Sequence, residues 1–286
     1  MRTTISGRTN LKVSQMGIGA GGASQIGRKT GLTEAESSDL LCRAFDHGVN
    51  FIDTVEGYGT ESIIGRALEG RDRSSIIIST KKSTRRQELT AQALQMGLDH
   101  SLQRLGTDYI DIYNLHGVVP QDYARLVANI FPALKKAQRQ GKIRFIGLSE
   151  MFNKDLEHTM LQEALADDLW DVLMVGFNML SQTAREKVFA KAIAKNVGIQ
   201  IMFAVRNALS HPNNLRRFIT NLVDKGQINR AEVEDFPNFL LAEATSLPDA
   251  AYRFCRDEPG VPRRPLRYRQ RQPSRRQSRL VRPSAT

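Results

Sequence analysis

Short apolar runs alternate with longer amphipathic segments along most of this chain. Seven of these runs predict β-strands, and most of the stretches between them have helical periodicity. The runs are 17–19, 49–53, 75–80, 109–115, 143–148, 171–177 and 199–205. Repeated strand–helix alternation predicts parallel βαβ units. With 286 residues, the chain has the length of two smaller domains or of one α/β domain, and the alternation favours one domain folded as a (β/α)8 TIM barrel.

The segments between the runs supply the predicted helices. They are 33–47, 60–69, about 90–105, 121–140, 183–196 and about 248–258, with a further amphipathic helix at 214–223. Thr33 and Glu36 form a capping box at the start of the first helix. Residues 3–5 and 11–14 predict a short N-terminal β-hairpin. The helix at 214–223 follows the seventh strand, so it either helps to cover the active-site end of the barrel or is a plain surface helix.

The eighth strand of the barrel is missing where it is due. After Gly260 the chain reads Val-Pro-Arg-Arg-Pro at 261–265. Proline has no N–H to donate to a neighbouring strand, and charged side chains do not fill a barrel interior. We therefore predict a barrel domain over 1–261 with seven of its eight strands. A separate tail over 262–286 would replace the eighth strand and the last helix.

Charge divides the chain in the same place. The formal net charge is +11, but 262–286 contain nine arginines and no acid, which leaves 32 basic and 30 acidic residues elsewhere. The body is therefore nearly neutral. A basic tail is typical of a segment that binds nucleic acid or an acidic partner, but Tyr268 is its single aromatic residue. Nucleic-acid binding would be salt-sensitive and would vanish when 262–286 is deleted.

Two other interpretations of the tail are a disordered artefact and, the one we favour, a shift of reading frame just after Val261. With GC-rich codons, the segment from Pro262 to Gln270 can be encoded by a sequence whose shifted frame spells His-Val-Val-Leu-Ser-Gly-Thr-Gly-Asn. That would be an apolar strand followed by a glycine-containing loop. The nucleotide sequence around the Val261 codon decides between these interpretations.

Polar side chains follow three consecutive predicted strands, where a (β/α)8 barrel places its active site. Asp53 ends one strand, with Tyr58 on the loop beyond it; Lys81 and His116 follow the next two strands. An ammonium near a phenol lowers the pKa of the phenol, and a carboxylate can hold the ammonium in place. This set is suited to protonating a carbonyl oxygen while hydride reaches the carbon. Taken singly, each residue has an ordinary structural explanation, such as a helix cap or a solvated lysine.

The same stretches resemble the aldo-keto reductase family. The matching residues are Gly-Val-Asn-Phe-Ile-Asp-Thr at 48–54 with Tyr-Gly at 58–59, Ser-Thr-Lys at 79–81, Leu-Gly-Thr-Asp-Tyr-Ile-Asp at 105–111 with Leu-His at 115–116, and Gly-Lys-Ile-Arg-Phe-Ile-Gly-Leu-Ser at 141–149. The resemblance implies a (β/α)8 barrel that binds NADPH or NADH. It implies Tyr58 as the proton donor, Lys81 and Asp53 as the groups that tune it, and His116 as the residue that orients the carbonyl.

The resemblance also indicates cofactor-binding candidates at the ends of later strands, with departures from the family pattern. Ser149 matches the family, whereas Glu150 stands where the family often has asparagine. Met174 stands where a glutamine is usual, and Asn178 could compensate for that change. These departures leave the catalytic set intact and alter the residues that would hold the cofactor.

Two further cofactor candidates lie near the first and last predicted strands. Phe203 is the candidate for stacking on the nicotinamide, and the glycine-rich loop at 17–22 adds Gly19. This loop resembles a dinucleotide fingerprint. The acidic residue and the doubly wound pattern that accompany such a fingerprint are missing, so we expect the loop to line the barrel mouth.

The sequence therefore predicts an NAD(P)H-dependent reductase of small aldehydes or ketones, with no metal. The alternative is a reductase-like barrel that binds without turnover. Two cysteines without a paired motif, and no apolar run long enough to span a bilayer, favour a cytoplasmic protein. The substrate, the choice between NADPH and NADH, and the oligomeric state are not indicated. Without the eighth strand and its loop, we expect weak cofactor binding and a tendency to aggregate.

Overall fold

The computed structural model describes residues 1–22, 24–85, 88–233, 240 and 244–258. The strands in these residues are β1 Thr3–Ile5, β2 Lys12–Ser14, β3 Ile18–Gly19, β4 Phe51–Asp53, β5 Ile77–Ser83, β6 Ile110–Val118, β7 Ile143–Glu150, β8 Val172–Gly176 and β9 Gly198–Met202. The α-helices are α1 Glu34–Asp46, α2 Glu61–Leu68, α3 Ala91–Leu105, α4 Pro120–Asn129, α5 Phe131–Arg139, α6 Thr159–Asp167, α7 Ala190–Ala194, α8 Pro212–Asp224, α9 Arg230–Val233 and α10 Leu247–Arg256.

Strands β3 to β9 form one parallel sheet in the order of the chain. Helices follow most of these strands, so the predicted (β/α)8 architecture is confirmed for the seven strands described. Strands β3 and β9 stand at the two ends of this strand order. The predictions for an eighth strand, the domain boundary at 261 and the tail at 262–286 lie outside the described residues.

Alternating side chains along each strand build two cores. Ile52 and Ile78 are fully buried in the large core that includes the helices. Ile77 and Ile112, one position out of phase, belong to a separate cluster. Because successive side chains of a strand point to opposite faces, the first set faces the helices and the second set fills the barrel interior.

The predicted N-terminal hairpin is confirmed, and it closes the amino end of the barrel. Strands β1 and β2 pair in antiparallel register. Leu11 and Val13 belong to the cluster that fills the interior. Gly7 lies so close to the chain entering β9 that a Cβ there would collide with the Gly198 nitrogen, and its φ of +50° also favours glycine.

The prediction of a single helix over 121–140 is wrong, because the segment forms two helices, α4 and α5, that meet at Ile130. Pro132 lies in the first turn of α5. Proline has no N–H and its ring clashes with the carbonyl four residues earlier, so a helix restarts at this position rather than running through it. In the sequence, Pro120 marks the start of α4 and Pro132 marks the start of α5.

Helix α6 has no counterpart among the predicted helices. The first backbone N–H groups of α6 are capped by Asp155. Its carboxylate accepts hydrogen bonds from the N–H of Thr159 at 2.9 Å and from that of Met160 at 2.8 Å. The residue at the N-cap position is His158, in a left-handed conformation and without a side-chain cap of its own. The capping residue therefore precedes the helix by four positions, which a search for an adjacent cap does not detect.

The carboxyl-terminal part of the barrel also departs in detail from the prediction. The predicted helix 183–196 contains a π-helical segment, Arg185–Phe189, that continues into α7. The predicted strand 199–205 ends at Met202, because Phe203 takes a left-handed φ of +70° that leaves the strand. The predicted helix at 214–223 is confirmed as α8, and it packs in a cluster with α10 through Leu215.

Candidate active site

Asp53 and Lys81 form an ion pair at the carboxyl ends of β4 and β5. The Nζ of Lys81 donates to both carboxylate oxygens of Asp53, at 2.6 Å each, and to the carbonyl oxygen of Thr54 at 2.7 Å. The side chain of Lys81 is only 2% exposed. An ammonium group has three N–H bonds, and three acceptors therefore occupy it.

Ser79 and Asn114 support this ion pair from neighbouring strands. The hydroxyl of Ser79 donates to Oδ1 of Asp53 at 2.8 Å. The side-chain amide of Asn114 in turn donates to Ser79 Oγ at 3.1 Å. Gly147 on β7 makes room for Asn114, because a Cβ at this glycine would collide with Asn114 Oδ1. The carboxylate is thus held by a chain of side chains, and the next strand leaves space for that chain.

Tyr58 lies on a short 3-10 turn, Glu56–Tyr58, just beyond β4. Its ring packs against the glycine-rich first loop, since a Cβ on Gly21 would collide with the ring. This places the loop beside the tyrosine, as expected for a loop at the barrel mouth. Burial and then the charge of Asp53 raise the pKa of Tyr58, whereas the charge of Arg85 lowers it. The phenol therefore keeps its proton at neutral pH.

His116 lies near the end of β6 and contacts Arg85. The guanidinium Nη2 and the imidazole Nε2 are 3.2 Å apart. Because a guanidinium can only donate, the imidazole accepts at Nε2 and carries its proton on Nδ1. Burial, with the positive charges of Lys81 and Arg85, lowers the pKa of His116 to about 3. His116 is therefore neutral across the physiological pH range.

Tyr58 and His116 line the same cleft, which has a volume of about 610 Å³. It extends from the ends of β4, β5 and β6 along α3, where Met96 forms part of its wall. Lys82 bonds Glu56 across one side at 2.8 Å. The structure thus brings together two of the predicted catalytic residues in one cleft. Asp53 and Lys81 do not line it, but the charge of Asp53 acts on Tyr58 and that of Lys81 acts on His116, so the ion pair lies close to the cleft.

The cofactor-binding candidates occupy the following strand ends. Ser149 pairs in register with His116 on one side and Met174 on the other. Its hydroxyl is buried and has no hydrogen-bond partner among the described residues. The same is true of the side-chain nitrogen of Gln200 on β9. Gly19 has open space where a side chain would begin.

Glu150 is held by protein groups rather than open to a ligand. One carboxylate oxygen accepts from the Gly176 N–H at 2.7 Å, and the other bonds His158 Nδ1 at 2.8 Å. Both side chains of the Glu150–His158 pair are fully buried. His158 Nε2 in turn contacts Thr183 Oγ1 at 3.0 Å. With both oxygens occupied, we do not include Glu150 in the cofactor site proposed below.

Asn178 and Phe203 shape the loops after β8 and β9. The Asn178 side chain accepts from the Leu180 N–H at 2.9 Å and donates to the Phe203 carbonyl oxygen at 3.1 Å. The ring of Phe203 lies under Arg206, whose guanidinium carbon is 4.1 Å from the ring centroid. Asn178 thus ties the two loops together, and Phe203 lies beside a cation.

Four residues of this region were not singled out by the sequence: Ser79, Arg85, Asn114 and Gln200. Ser79, Asn114 and Gln200 lie on strands. Each is followed two positions later by a side chain on the same face of its strand, as Ser79 is by Lys81. Polar residues at alternating positions of an otherwise apolar strand were the available signal. Arg85 lies on the loop after β5, where strand periodicity gives no information.

Similarity to known proteins extends over most of the chain. The model of the Aldo/keto reductase family matches residues 16–257. The chain belongs to that family. The match includes every strand of the parallel sheet described above, which agrees with the resemblance of the sequence motifs.

Curated relatives in the family are named for different substrates. L-galactose dehydrogenase from Arabidopsis thaliana is 34% identical over 151 residues, which are 50% of this chain and 46% of that protein. NADH-specific methylglyoxal reductase from Escherichia coli is 27% identical over 232 residues, 73% of this chain and 69% of that protein. The chain thus spans about half the length of the first of these relatives and more of the second.

A solved aldo-keto reductase structure supports the same fold. The holo form of an aldo-keto reductase from Bacillus halodurans superimposes with a TM-score of 0.62 at 25% sequence identity. The superposition covers 74% of this chain and 69% of that one. None of the helices in the described ranges combines the length and apolar character needed to cross a membrane.

Proposed function

We propose that this aldo-keto reductase is an NAD(P)H-dependent oxidoreductase that reduces a small aldehyde or ketone to an alcohol. The observation that carries the proposal is the placement of Tyr58 and His116 in one cleft, close to the ion pair of Asp53 with a lysine. These side chains come from the ends of three consecutive strands, where barrels of this kind hold their reacting groups. The family membership supports the same reaction class.

Tyr58 is proposed as the proton donor to the carbonyl oxygen. A donor must hold its proton before the reaction, and the raised pKa of Tyr58 ensures this. Lys81 is held rigidly by Asp53 and Thr54, so its positive charge stays fixed near the site. A fixed positive charge stabilises the phenolate that forms as the proton leaves.

His116 is proposed to orient the carbonyl together with Arg85. The imidazole is neutral and accepts from Arg85, so its partner guanidinium presents the remaining donors to the cleft. A hydrogen-bond donor beside a carbonyl oxygen favours the charge that develops there during reduction. In this proposal His116 holds the guanidinium of Arg85, the hydrogen-bond donor, in position and also forms part of the cleft wall.

A nicotinamide cofactor fits the polar atoms that lack partners in the described part of the barrel. The buried hydroxyl of Ser149 lies next to His116 on the sheet and is free to bond an amide. We propose Ser149 for this role, with Gly19 at the end of β3 and with Asn178 and Phe203 on the loops after β8 and β9. When bound, the cofactor would supply the hydride. The choice between NADPH and NADH is left to the assay.

The test is the oxidation of NADPH and of NADH by the full chain with a panel of small aldehydes and ketones. Turnover that is lost in Tyr58→Phe supports the proposal, because this change removes only the hydroxyl. A chain that binds cofactor but gives the same background rate with Tyr58 and with Phe at this position would instead be a silent, reductase-like binding protein.

A further inference from the structure

Arg85 stands out among the charged groups of the cleft. The other charged groups of the lining, apart from the histidines, are Glu56, Lys82 and Arg104. Lys82 and Glu56 neutralise each other at 2.8 Å, and Arg104 is paired with Glu61 at 2.6 Å. Within the described part of the chain, no carboxylate lies at ion-pair distance from Arg85. The cleft therefore has one uncompensated positive charge, next to His116.

The backbone holds this guanidinium in place. Gly117 has a φ of +73°, and a Cβ there would collide with Arg85 Nε. The arginine thus packs directly on the backbone after His116, in space that any other residue at 117 would fill. The backbone N–H of Arg85 bonds Ser83 Oγ at 3.4 Å. That bond holds the backbone of Arg85, whereas the packing on Gly117 and the contact with His116 Nε2 hold the guanidinium at the cleft wall.

Among the described residues, the contact with His116 leaves most donors of the guanidinium without a partner. An arginine side chain has five N–H donors, and one nitrogen is engaged with the imidazole. The remaining donors form a planar fork of the kind that binds carboxylates with two parallel hydrogen bonds. A neutral carbonyl compound cannot use this fork fully, whereas a carbonyl compound with an anionic group can.

We propose that Arg85 is the anion-binding residue of the substrate pocket, and that the substrate is a small oxo acid with its carboxylate close to the carbonyl. This inference rests on the proposed reductase function. The position of the carboxylate follows from the geometry. Tyr58 protonates the carbonyl oxygen, and Arg85 contacts His116 in the same cleft, so the two ends of the substrate are separated by only a few bonds.

The activity test uses a matched pair of substrates, 4-oxobutanoate and butanal, which differ in the carboxylate. The full-length protein should have a higher kcat/KM for the acid. Arg85→Gln should lower kcat/KM about 10- to 100-fold more for 4-oxobutanoate than for butanal, the range expected for lost hydrogen bonds to a charged group. Arg139→Gln, an exposed arginine on α5, is the matched control and should leave both values unchanged.

A binding test separates this proposal from the reductase function. Succinate and succinamide are not reducible at an aldehyde, so calorimetry measures their binding whether or not the chain turns over. Succinate should bind more tightly than succinamide, and Arg85→Gln should weaken succinate binding about 10-fold. If succinate binds in this way but no carbonyl compound is reduced, the anion site stands and the proposed reaction fails.

Three outcomes would overturn the anion site. One is an equal loss of activity on 4-oxobutanoate and butanal in Arg85→Gln. Another is succinate binding that is absent or unaffected by the substitution. The third is a rise in the cofactor KM in Arg85→Gln without a change in substrate preference, which would assign the arginine to a cofactor phosphate instead.

Discussion

The polar groups at the ends of β4 and β5 and those on β7 and β9 differ in how they are satisfied. In the first region Lys81 and Ser79 both bond Asp53, at 2.6 and 2.8 Å. In the second, Ser149 Oγ and Gln200 Nε2 are buried without a partner among the described residues. Leaving a buried polar group unpaired costs about 1–3 kcal/mol. The ion pair of the first region is therefore bonded before a ligand arrives, whereas Ser149 and Gln200 leave polar atoms that a ligand can use. On the intervening strand β6, Tyr113 Oη and Asn114 Oδ1 are also buried without a partner among the described residues.

This difference supports different proposed tasks for the ion pair and for the unpaired groups on β7 and β9. A group that must keep its position during proton transfer benefits from being fixed before the substrate arrives. A group that must bond a ligand cannot be bonded to the protein beforehand. Substitutions on each side of the barrel test this difference.

Tyr58→Phe should have the largest effect. Removing a general acid typically costs about 10²- to 10⁴-fold in rate, so kcat should fall by that amount. The melting temperature should hardly change, because the substitution keeps the ring that packs on Gly21. Steady-state kinetics and thermal melting of the same preparation measure both. A fall in kcat of less than about tenfold would remove Tyr58 from the role of acid.

Glu150→Ala should have the largest effect on stability. It leaves His158 buried without its partner and frees the Gly176 N–H. Breaking a buried pair from one side costs about 3–5 kcal/mol, which denaturant unfolding can measure. Glu150→Gln keeps the shape and the acceptor and should cost less. If both variants unfold like the parent chain, the pair does not stabilise this region.

Ser149→Ala should raise the cofactor KM about tenfold with little loss of stability, because the hydroxyl has no partner among the described residues but a ligand amide would lose a hydrogen bond. Ser37→Ala is a matched control, because Ser37 Oγ is also buried and without a partner in the described part of the chain but lies on α1. Cofactor titration of both variants checks this. An equal effect of the two substitutions would contradict a binding role for Ser149.

The pH profile should show the smallest effect. With a pKa of about 3, His116 stays neutral above about pH 5, so it should add no step to kcat/KM between about pH 5 and 8. Its pKa in the unfolded chain is about 6.5, so its contribution to stability falls as the pH drops from there towards 3.

In Arg85→Gln the loss of a neighbouring positive charge should raise the pKa of His116. An NMR titration of the imidazole measures the shift, and an unchanged pKa would contradict the contact with Arg85.

The sequence predicted the strands of this barrel because each is a short apolar run between helical segments. It placed Tyr58, Lys81 and His116 at strand ends for the same reason. It did not predict α6, whose cap lies several residues before the helix. It also did not predict that Glu150 would be buried against His158, because that contact joins a strand end to a loop, and no local pattern encodes it.

Roles that depend on partners distant in sequence were hardest to predict. Lys81 was expected to lower the pKa of Tyr58, and this role stays a prediction. Its three donors bond Asp53 and Thr54, and the largest influence on the pKa of Tyr58 is burial, which raises it. The part of the prediction that concerns 262–286 remains a hypothesis about residues outside those described. The nucleotide sequence at the Val261 codon still tests it.

The attachment of the N-terminal hairpin has a consequence for the order of folding. The backbone N–H of Arg8 bonds the carbonyl oxygen of Asn196, and its guanidinium pairs with Asp168. The contact between Arg8 and Asn196 cannot form until the ribosome has synthesised nearly two hundred residues. At about 5–20 residues per second, the first strands remain without these partners for roughly 10–40 seconds. Chaperone binding to the nascent chain should therefore concentrate in this interval and end once β9 has emerged.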